Sequence, residues 1–285
     1  MIVLVRYSCL QCRERFEGYD AAVTVRDREH MISAEDDVRG LRILIVGASS
    51  GIGREVAVAA HSRGARVALA ARRVDLLAQL ADSLDGTAYE LDVSDPVAVD
   101  DAVKAAAKAL GEFDAVVFTS AVLPLAHIEH IDATTWLHAF AVNAVGASQV
   151  LRAAVPHLSS TAVILVTSCR PLGDPRAGVA AYNTSKAALD EMLRAWRAEH
   201  PDLAIIRASL GPTADTEILR GADRELLDSL YESWLRRGQL PEAMSSRLDV
   251  ANTLLGLIAL ARKNTSAITE VVELAPRTAA GSGTF

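Results

Sequence analysis

The sequence predicts an α/β fold: a single doubly wound Rossmann-type domain with about seven parallel strands and helices on both faces of the sheet. Continuous apolar runs alternate with segments of helical periodicity from residue 41 onward. The first run, "RILIVGA" (42–48), is apolar throughout, as expected for a strand that is buried on both faces. It leads through the glycine-rich turn "VGASSGIGRE" (46–55) into a helix, which is the order of a nucleotide-binding unit.

The other elements follow in regular alternation. We expect the first helix to end at Gly64, and Asp95-Pro96 is typical of a helix cap followed by a first helical residue. The predicted strands lie at 42–48, 66–72, 87–93, 114–121, 162–168, 203–210 and 267–274. The predicted helices follow the glycine turn and Pro96 and lie at 75–84, 133–155, 180–199 and 249–262. These elements form one domain over 41–275.

Composition excludes several classes of protein. The chain has 285 residues, of which 51% are apolar, so it can bury a sizeable core. A formal charge of −7 argues against nucleic-acid binding. No apolar run reaches the roughly 18 residues that span a bilayer, so no membrane partner is expected. Three cysteines are too few for a disulfide framework and indicate a cytoplasmic protein.

The two ends differ from the regular part. Residues 1–40 are rich in charge, and we expect a poorly ordered extension, with Met31 as a second candidate for the natural start. Cys9 and Cys12 form a CxxC pair, but a zinc site needs four ligands and His30 supplies only a third, so no metal is expected. The tail, 276–285, is expected to be flexible.

The glycine-rich turn has the features of a phosphate-binding loop. Gly47 permits a tight turn, Gly51 lets the backbone approach a pyrophosphate, and Gly53 allows the helix to pack closely on the strand. The N–H groups of the first helical turn then face the phosphates. The spacing is GxxxGxG instead of the commoner GxGxxG. The loop residues expected to contact the cofactor are Gly47, Ser49, Ser50, Gly51, Ile52 and Gly53.

The end of the second strand indicates which dinucleotide binds. An acidic residue there would hold the ribose hydroxyl of NAD, but the sequence has Arg72 and Arg73. Two cations suit the 2′-phosphate of NADP, so NADP(H) is expected and NAD(H) is the less favoured cofactor. The alternative is that Arg72 and Arg73 are simply exposed to solvent at the start of a loop and bind no phosphate. Asp92 and Val93 are expected near the adenine, with a turn cap as the alternative role of Asp92.

Together with "YNTSK" (182–186), these residues resemble the short-chain dehydrogenase/reductase family over residues 41–275. The resemblance implies hydride transfer between a nicotinamide and an alcohol or carbonyl group, and assembly into a homodimer or homotetramer. Tyr182 can act as the acid or base, and Lys186 lies one helical turn further along the same face. The charge of Lys186 is expected to lower the pKa of Tyr182. The resemblance also implies that Lys186 binds the nicotinamide ribose and that Tyr182 is a second cofactor contact in the predicted helix 180–199.

Further site residues follow from the resemblance. Asn143 matches the family asparagine that holds a water in a proton relay; a buried structural asparagine is the alternative. Ala121 replaces the family glycine after the fourth strand and is expected to crowd the cofactor. The Pro-Gly order in the loop "GPTADT" is reversed to Gly211-Pro212. The remaining expected cofactor contacts are Thr119, Ser120, Ala121, Gly211, Thr213 and Thr216.

Two neighbouring residues compete for the place of the family serine that polarises the substrate carbonyl. Spacing from Tyr182 places Cys169 there, whereas chemistry favours Ser168 because a thiol is a weak hydrogen-bond donor. Successive strand side chains point to opposite faces, so only one of them faces the substrate. Cys169→Ser is expected to raise carbonyl turnover.

The segment 217–247 resembles the family's substrate lid. Its apolar residues, among them Leu219, Leu226, Leu230 and Trp234, suit a lipophilic small-molecule substrate; packing on the core or on another subunit is the alternative. The sequence therefore predicts an NADP-dependent oxidoreductase. The competing hypothesis is a dinucleotide-binding protein with weak or no catalysis, such as a redox sensor, which the substitutions Cys169 and Ala121 keep open.

Overall fold

The computed structural model describes residues 38–169, 175–240, 243–264 and 266–276. The strands are β1 (Arg42–Val46), β2 (Arg66–Ala71), β3 (Thr87–Glu90), β4 (Phe113–Phe118), β5 (Leu158–Cys169), β6 (Ala204–Leu210) and β7 (Val271–Leu274). The helices are α1 (Gly51–Ser62), α2 (Val74–Ser83), α3 (Pro96–Leu110), α4 (Ala133–Phe140), α5 (Gly146–Ala154), α6 (Ala180–Glu199), α7 (Arg224–Arg236) and α8 (Arg247–Lys263).

The strands form one sheet in the order β3-β2-β1-β4-β5-β6-β7. Every neighbouring pair is parallel. The direction in which strands are added reverses at the pairing of β1 with β4, which creates a crevice at the carboxyl ends of these two strands. The predicted doubly wound sheet of seven parallel strands is confirmed.

Two apolar layers cover the two faces of the sheet. One layer packs α1, α2 and α8 on side chains such as Ile45 and Leu69. The other packs α3, α5 and α6 on side chains such as Leu44 and Val116. Since helices cover both faces, β4 buries all of its residues, which explains the continuous apolar runs of the central strands.

Two helix ends are formed by the residues that the sequence indicated. The Asp95 carboxylate accepts hydrogen bonds from the backbone N–H groups of Val97 and Ala98, and Pro96 is the first residue of α3. Gly64 follows α1 with φ of 82°, a left-handed conformation that glycine adopts without strain.

Other element boundaries differ from the prediction. β3 ends at Glu90 because the chain turns at Asp92, whose carboxylate accepts hydrogen bonds from the N–H and the hydroxyl of Ser94. The predicted helix at 133–155 is divided, since Ala141–Val145 forms a π-helical segment between α4 and α5. β5 begins earlier than predicted, at Leu158.

The predictions for Cys9, Cys12, His30 and Met31 concern residues outside the described part of the chain. Among the described residues, no helix combines the length and the apolar character needed to span a membrane. The same residues contain no group of three or more histidine, cysteine or acidic side chains placed to hold a metal ion.

Candidate active site

An open cleft of about 1680 Å³ runs along the carboxyl ends of β1, β2, β4, β5 and β6. Parallel sheets of this type bind ligands in the crevice where the strand order reverses. The cleft is lined by most of the residues that the sequence singled out: Gly47, Ser49, Ser50, Gly51, Ile52, Gly53, Arg72, Arg73, Val93, Thr119, Ser120, Ala121, Ser168, Cys169, Tyr182, Lys186, Gly211, Thr213 and Thr216. Asp92 and Asn143 are not part of this lining.

The turn between β1 and α1 has no room for side chains at two glycines. Gly47 has φ of 93°, and a Cβ atom there would lie 2.7 Å from Thr119 Oγ1. A Cβ atom on Gly53 would lie 2.4 Å from the Gly47 carbonyl oxygen. At Gly51, by contrast, the nearest heavy atoms to an added Cβ belong to Thr216, 4.0 Å away. The backbone at Gly51 therefore borders open space, as the close approach of a phosphate requires.

Arg73 is bound to this loop and to the far side of the cleft. Its Nε donates to Ser49 Oγ at 3.3 Å, and its Nη2 donates to Ser50 Oγ. Its Nη1 donates to Glu217 Oε2 at 2.6 Å. The Ser50 side chain makes no capping hydrogen bond to α1, so it does not block the helix start. One of the two expected phosphate-binding cations is thus paired with a carboxylate.

Arg72 is exposed at the rim of the cleft and acts electrostatically on Asp92. Burial opposes the ionisation of Asp92, but hydrogen bonds from Ser94 and the charge of Arg72 outweigh it, so the pKa of Asp92 lies below its usual value. The bonds to Ser94 are those of a turn cap, which is the alternative role that the sequence left open for Asp92.

The loops after β4 and β6 complete the cofactor side of the cleft. Thr119 donates its hydroxyl to the carbonyl oxygen at the end of β1, 2.9 Å away, which fixes the loop that carries Ala121. Thr213 donates to the Gly211 carbonyl at 3.1 Å, and Thr216 donates to the Thr213 carbonyl at 3.4 Å. These threonines therefore shape the loop backbone through local bonds.

α6 brings Tyr182 and Lys186 to the cleft one turn apart. The Lys186 Nζ lies 6.0 Å from the centroid of the Tyr182 ring and donates to the Thr167 carbonyl oxygen at 3.1 Å. Lys186 is only 2% exposed, whereas Tyr182 retains an opening toward the cleft. This fixes the ammonium group beneath a phenol that a substrate can reach.

Burial dominates the titration of both groups. It raises the pKa of Tyr182 above the ordinary value of 10, and the nearby Cys169 adds to the effect. Burial also lowers the pKa of Lys186 to about 8. The expectation that Lys186 lowers the pKa of Tyr182 is wrong for this structure, because the loss of contact with water and the neighbouring Cys169 both raise that pKa. The phenol keeps its proton at neutral pH.

Ser168 and Cys169 have different partners, as alternation along β5 requires. Ser168 is 4% exposed, and its hydroxyl donates to Asp190 Oδ1 at 2.7 Å. Cys169 is partly exposed, lines the cleft and interacts electrostatically with both Tyr182 and Lys186. The thiol, and not the Ser168 hydroxyl, is thus the neighbour of the tyrosine.

Asn143 lies in the π-helical segment and is completely buried. Its amide nitrogen donates to the Val122 carbonyl and to Ser185 Oγ, both at 2.8 Å, and its oxygen accepts from the Val122 N–H at 2.8 Å. Ser185 in turn donates to the Tyr182 carbonyl at 2.8 Å. Asn143 therefore ties α6 to the loop after β4. Its role in a proton relay stays a prediction, and its side chain is free to take part only through the second lone pair of its oxygen.

Comparison with known proteins decides the family. The sequence model described as short chain dehydrogenase matches residues 42–225. The chain belongs to the short chain dehydrogenase family. Ser185, which bonds to Asn143 and to the Tyr182 carbonyl, was not singled out from the sequence, although its place three residues after Tyr182 puts it on the adjacent turn of α6.

Several curated proteins are similar to this chain. Glycine betaine reductase ATRR of Emericella nidulans is 28% identical over 81% of this chain. An 11-beta-hydroxysteroid dehydrogenase A of Sesamum indicum is 30% identical over 65% of it, and versicolorin reductase stcU of Emericella nidulans is 29% identical over 69%. This chain spans 18%, 56% and 78% of those three proteins, respectively.

Solved structures of family members share the fold. A short-chain type dehydrogenase/reductase from Mycobacterium marinum is 25% identical, with a TM-score of 0.70 over 84% of this chain and 96% of that one. A Burkholderia cenocepacia short chain dehydrogenase in complex with NADP is 23% identical, with a TM-score of 0.70 over 84% of this chain and 98% of its own.

The segment after Thr216 forms one wall of the cleft. On α7, Leu230 and Trp234 are buried against Val179. Leu219 lines the cleft, and Leu227 and Trp234 both line it and pack in this cluster. The apolar residues of the predicted lid therefore serve packing, lining or both.

Proposed function

We propose that this chain is an NADP(H)-dependent oxidoreductase that interconverts alcohol and carbonyl groups. The observation that carries the proposal is the pair of Tyr182 and Lys186 on α6, held in the same cleft as the glycine turn. Membership of the short chain dehydrogenase family supports the reaction class. A homodimer or homotetramer and a cytoplasmic location stay predictions from the sequence.

The cleft has the features that a dinucleotide requires. Space is open beside the Gly51 backbone, and the start of α1 has no side-chain cap from Ser50. The glycine turn would hold the pyrophosphate, and Arg72 and Arg73 would hold the 2′-phosphate. When bound, the nicotinamide supplies the hydride. For NADP, Arg73 must exchange its bond with Glu217 for the phosphate.

Tyr182 supplies the proton in this proposal. The phenol is protonated at neutral pH and can donate to the alkoxide that forms as a carbonyl is reduced, although burial raises its pKa and so makes it a weaker acid than a free tyrosine. Lys186, with a pKa of about 8, is mostly charged at pH 7 and stabilises the negative charge that the phenol then acquires. Cys169 contributes at most a weak hydrogen bond to the same oxygen.

The test has two stages. NADPH and NADH are titrated separately, with cofactor fluorescence as the readout, and NADPH is expected to bind more tightly. A panel of ketones and aldehydes is then offered to wild type and to Tyr182→Phe. Removal of the acid should lower turnover by about 10²–10⁴ and leave the NADPH dissociation constant unchanged. Tighter binding of NADH than of NADPH would refute the assignment of Arg72 and Arg73.

The second candidate is a dinucleotide-binding protein with little catalysis. The thiol of Cys169 beside Tyr182 favours it, because a thiol is a weak donor and the complete loss of one oxyanion donor lowers turnover by about 10²–10³. In that case NADPH binds but no carbonyl in the panel is reduced, and Cys169→Ser does not create activity. Turnover that depends on Tyr182 decides for the oxidoreductase.

A further inference from the structure

We propose that Arg176 binds a carboxylate of the substrate, so that the physiological substrate is an apolar oxo acid or hydroxy acid. The inference rests on the proposed oxidoreductase function and specifies its substrate class. Arg176 lies six residues before Tyr182 in the chain, and both side chains line the same cleft.

Arg176 is a partly desolvated cation that no carboxylate of the described residues compensates. Its Nε is buried and has no hydrogen-bond partner among the described residues. Its guanidinium carbon lies 5.8 Å from the centroid of the Trp234 ring, so the face of the cation is covered by an aromatic group. Burial lowers the pKa of Arg176. A desolvated charge of this kind is costly unless an anion pairs with it.

Besides Arg176, the basic and acidic residues that line the cleft are Arg72, Arg73, Lys186, Arg220, His130, His138, Asp215, Glu217, Asp223 and Asp228. Arg73 is paired with Glu217, and Arg72 and Arg220 are exposed to water. Among the acidic residues, Asp223 accepts the capping bond from the N–H of Leu226 at the start of α7. Within the described ranges, no carboxylate forms an ion pair with Arg176. A ligand is therefore the natural source of the missing negative charge.

The segment that carries Arg176 is held in place on both sides. The indole Nε1 of Trp234 donates to the Ala177 carbonyl at 3.0 Å, and Gln239 Nε2 donates to the Pro175 carbonyl at 3.2 Å. The Gly178 carbonyl accepts from the Ala126 N–H at 3.0 Å. Because the backbone is fixed, the guanidinium is positioned before a ligand arrives, which lowers the entropic cost of binding.

Gly178 explains why this segment can lie so close to α7. Its φ is 82°, and a Cβ atom there would lie 2.2 Å from Leu230 Cδ1. The close packing places Arg176 beside an apolar cluster formed by Val179, Leu230 and Trp234, with Leu227 packed against it. A substrate that reaches both features carries an apolar body and an anionic end.

The anion that fits best is a carboxylate. A guanidinium offers two parallel N–H donors that match the two oxygens of a carboxylate. A single guanidinium neutralises one negative charge, as a carboxylate carries, whereas a phosphate dianion carries more. The sequence predicts a lipophilic substrate, and the position of Arg176 adds to this prediction a carboxylate at one end of the molecule.

The experiment compares aliphatic oxo acids with their methyl esters, using a series in which the distance between carbonyl and carboxylate increases. Wild type is expected to reduce the best oxo acid with a kcat/KM roughly 10- to 100-fold above that of its ester, the range expected for loss of a charge-assisted hydrogen bond. Arg176→Met should abolish this preference mainly through KM, and Arg176→Lys should restore part of it. Arg237→Met, which removes an exposed arginine just beyond α7, is the matched control and should change nothing.

A binding measurement covers the case in which turnover is too slow to measure. Tyr182→Phe loaded with NADPH is titrated with each oxo acid and ester, with tryptophan fluorescence as the readout because Trp234 contacts Arg176. Oxo acids should bind more tightly than esters, and addition of Arg176→Met should remove the difference. Equal binding or equal reduction of acids and esters by protein with Arg176 intact overturns the carboxylate site. Reduction of the esters in that case leaves the oxidoreductase proposal standing.

Discussion

The two sides of the cleft, which we propose bind the cofactor and the substrate, are built in different ways. The cofactor side consists mainly of backbone, with glycines at positions where a Cβ atom would overlap a neighbouring group, as at Gly47 and Gly53. The substrate side consists of side chains from α6, from the segment around Arg176 and from α7. On the cofactor side, the lack of space for a Cβ atom requires glycine at particular positions. On the substrate side, the chemistry depends on which side chains the tertiary fold brings together.

The largest effect is expected from Gly53→Ala on the cofactor side. The added Cβ would lie 2.4 Å from both the Gly47 carbonyl oxygen and Thr119 Oγ1. Because the first of these is backbone, relief requires α1 to move away from β1. Overpacking of this kind costs about 1–3 kcal/mol. We expect a loss of this size in the free energy of unfolding, measured with urea, and a large loss of NADPH affinity.

Gly256→Ala is the matched control for that substitution. Gly256 lies inside α8, and no heavy atom lies within 4 Å of an added Cβ. Alanine there should stabilise the protein by roughly 0.5–1 kcal/mol, because glycine is the poorer helix former. If Gly53→Ala is as well tolerated as Gly256→Ala, the cofactor side is not sterically fixed and the contrast between the two sides fails.

This contrast also explains what the sequence could predict. The seven strands, the glycine turn and the Tyr182–Lys186 pair follow from hydrophobic period and fixed spacing. The pKa of Tyr182 could not be predicted, because it depends on how completely the surrounding elements exclude water. The division of the helix at 133–155 was also missed, since the residues of Ala141–Val145 are ordinary helix residues apart from Asn143. The need to satisfy this buried amide through Val122 and Ser185 is a tertiary constraint.

The second prediction concerns Lys186, whose burial makes stability depend on pH. Its pKa is about 8 in the folded protein against an ordinary value of 10.5. Between these values the unfolded state binds the additional proton, so the contribution of Lys186 to the free energy of unfolding is least favourable below pH 8 and rises as pH increases. The free energy of unfolding of wild type minus that of Lys186→Met should therefore increase by about 1–3 kcal/mol from pH 7 to pH 10.5.

Taking the difference in the free energy of unfolding between wild type and a variant cancels the contributions of all other titrating groups. Lys104 lies exposed on α3, and Lys104→Met should give a difference from wild type that is flat over the same range. A flat difference for Lys186→Met as well would mean that Lys186 keeps an ordinary pKa. The ammonium group would then be solvated, and the account of Tyr182 as a proton donor backed by a buried cation would lose its basis.

Third, Cys169→Ser tests the boundary between the two sides. A hydroxyl donates a stronger hydrogen bond than a thiol, so carbonyl turnover should rise by up to about 10-fold, with the NADPH dissociation constant unchanged. Ser168→Ala should leave turnover nearly unchanged and lower stability, because it removes the buried bond to Asp190. If instead Cys169→Ser lowers the rate and Ser168→Ala abolishes it, Ser168 is the residue that polarises the carbonyl.

The sequence could not decide which of Ser168 and Cys169 faces Tyr182, and there is a physical reason for this. Alternation along a strand shows that the two side chains point apart, but not which face is which. The choice depends on Asp190, 22 positions later in the chain, which accepts the Ser168 hydroxyl. This hydrogen bond cannot be predicted from the spacing to Tyr182 or from the donor strength of the two side chains.

The smallest effect is expected at the ion pair of Arg73 with Glu217, which joins the end of β2 to the segment before α7. Its side chains are 25% and 46% exposed, so solvent screens the pair and its net contribution is small. Glu217→Gln releases Arg73 for the 2′-phosphate and should tighten NADPH binding by about two- to fivefold, with NADH binding unchanged. Glu232→Gln, which removes the partner of Arg236 on α7, is the matched control and should have no effect on either cofactor.

Salt dependence separates the possible causes of that change. If Glu217 competes with the cofactor phosphate for Arg73, the advantage of Glu217→Gln shrinks as ionic strength rises, because the attraction being compared is electrostatic. A variant that binds both NADPH and NADH more weakly than wild type gives the opposite picture. In that case the ion pair keeps the segment around Glu217 in contact with the cofactor, and its loss weakens the binding of both dinucleotides.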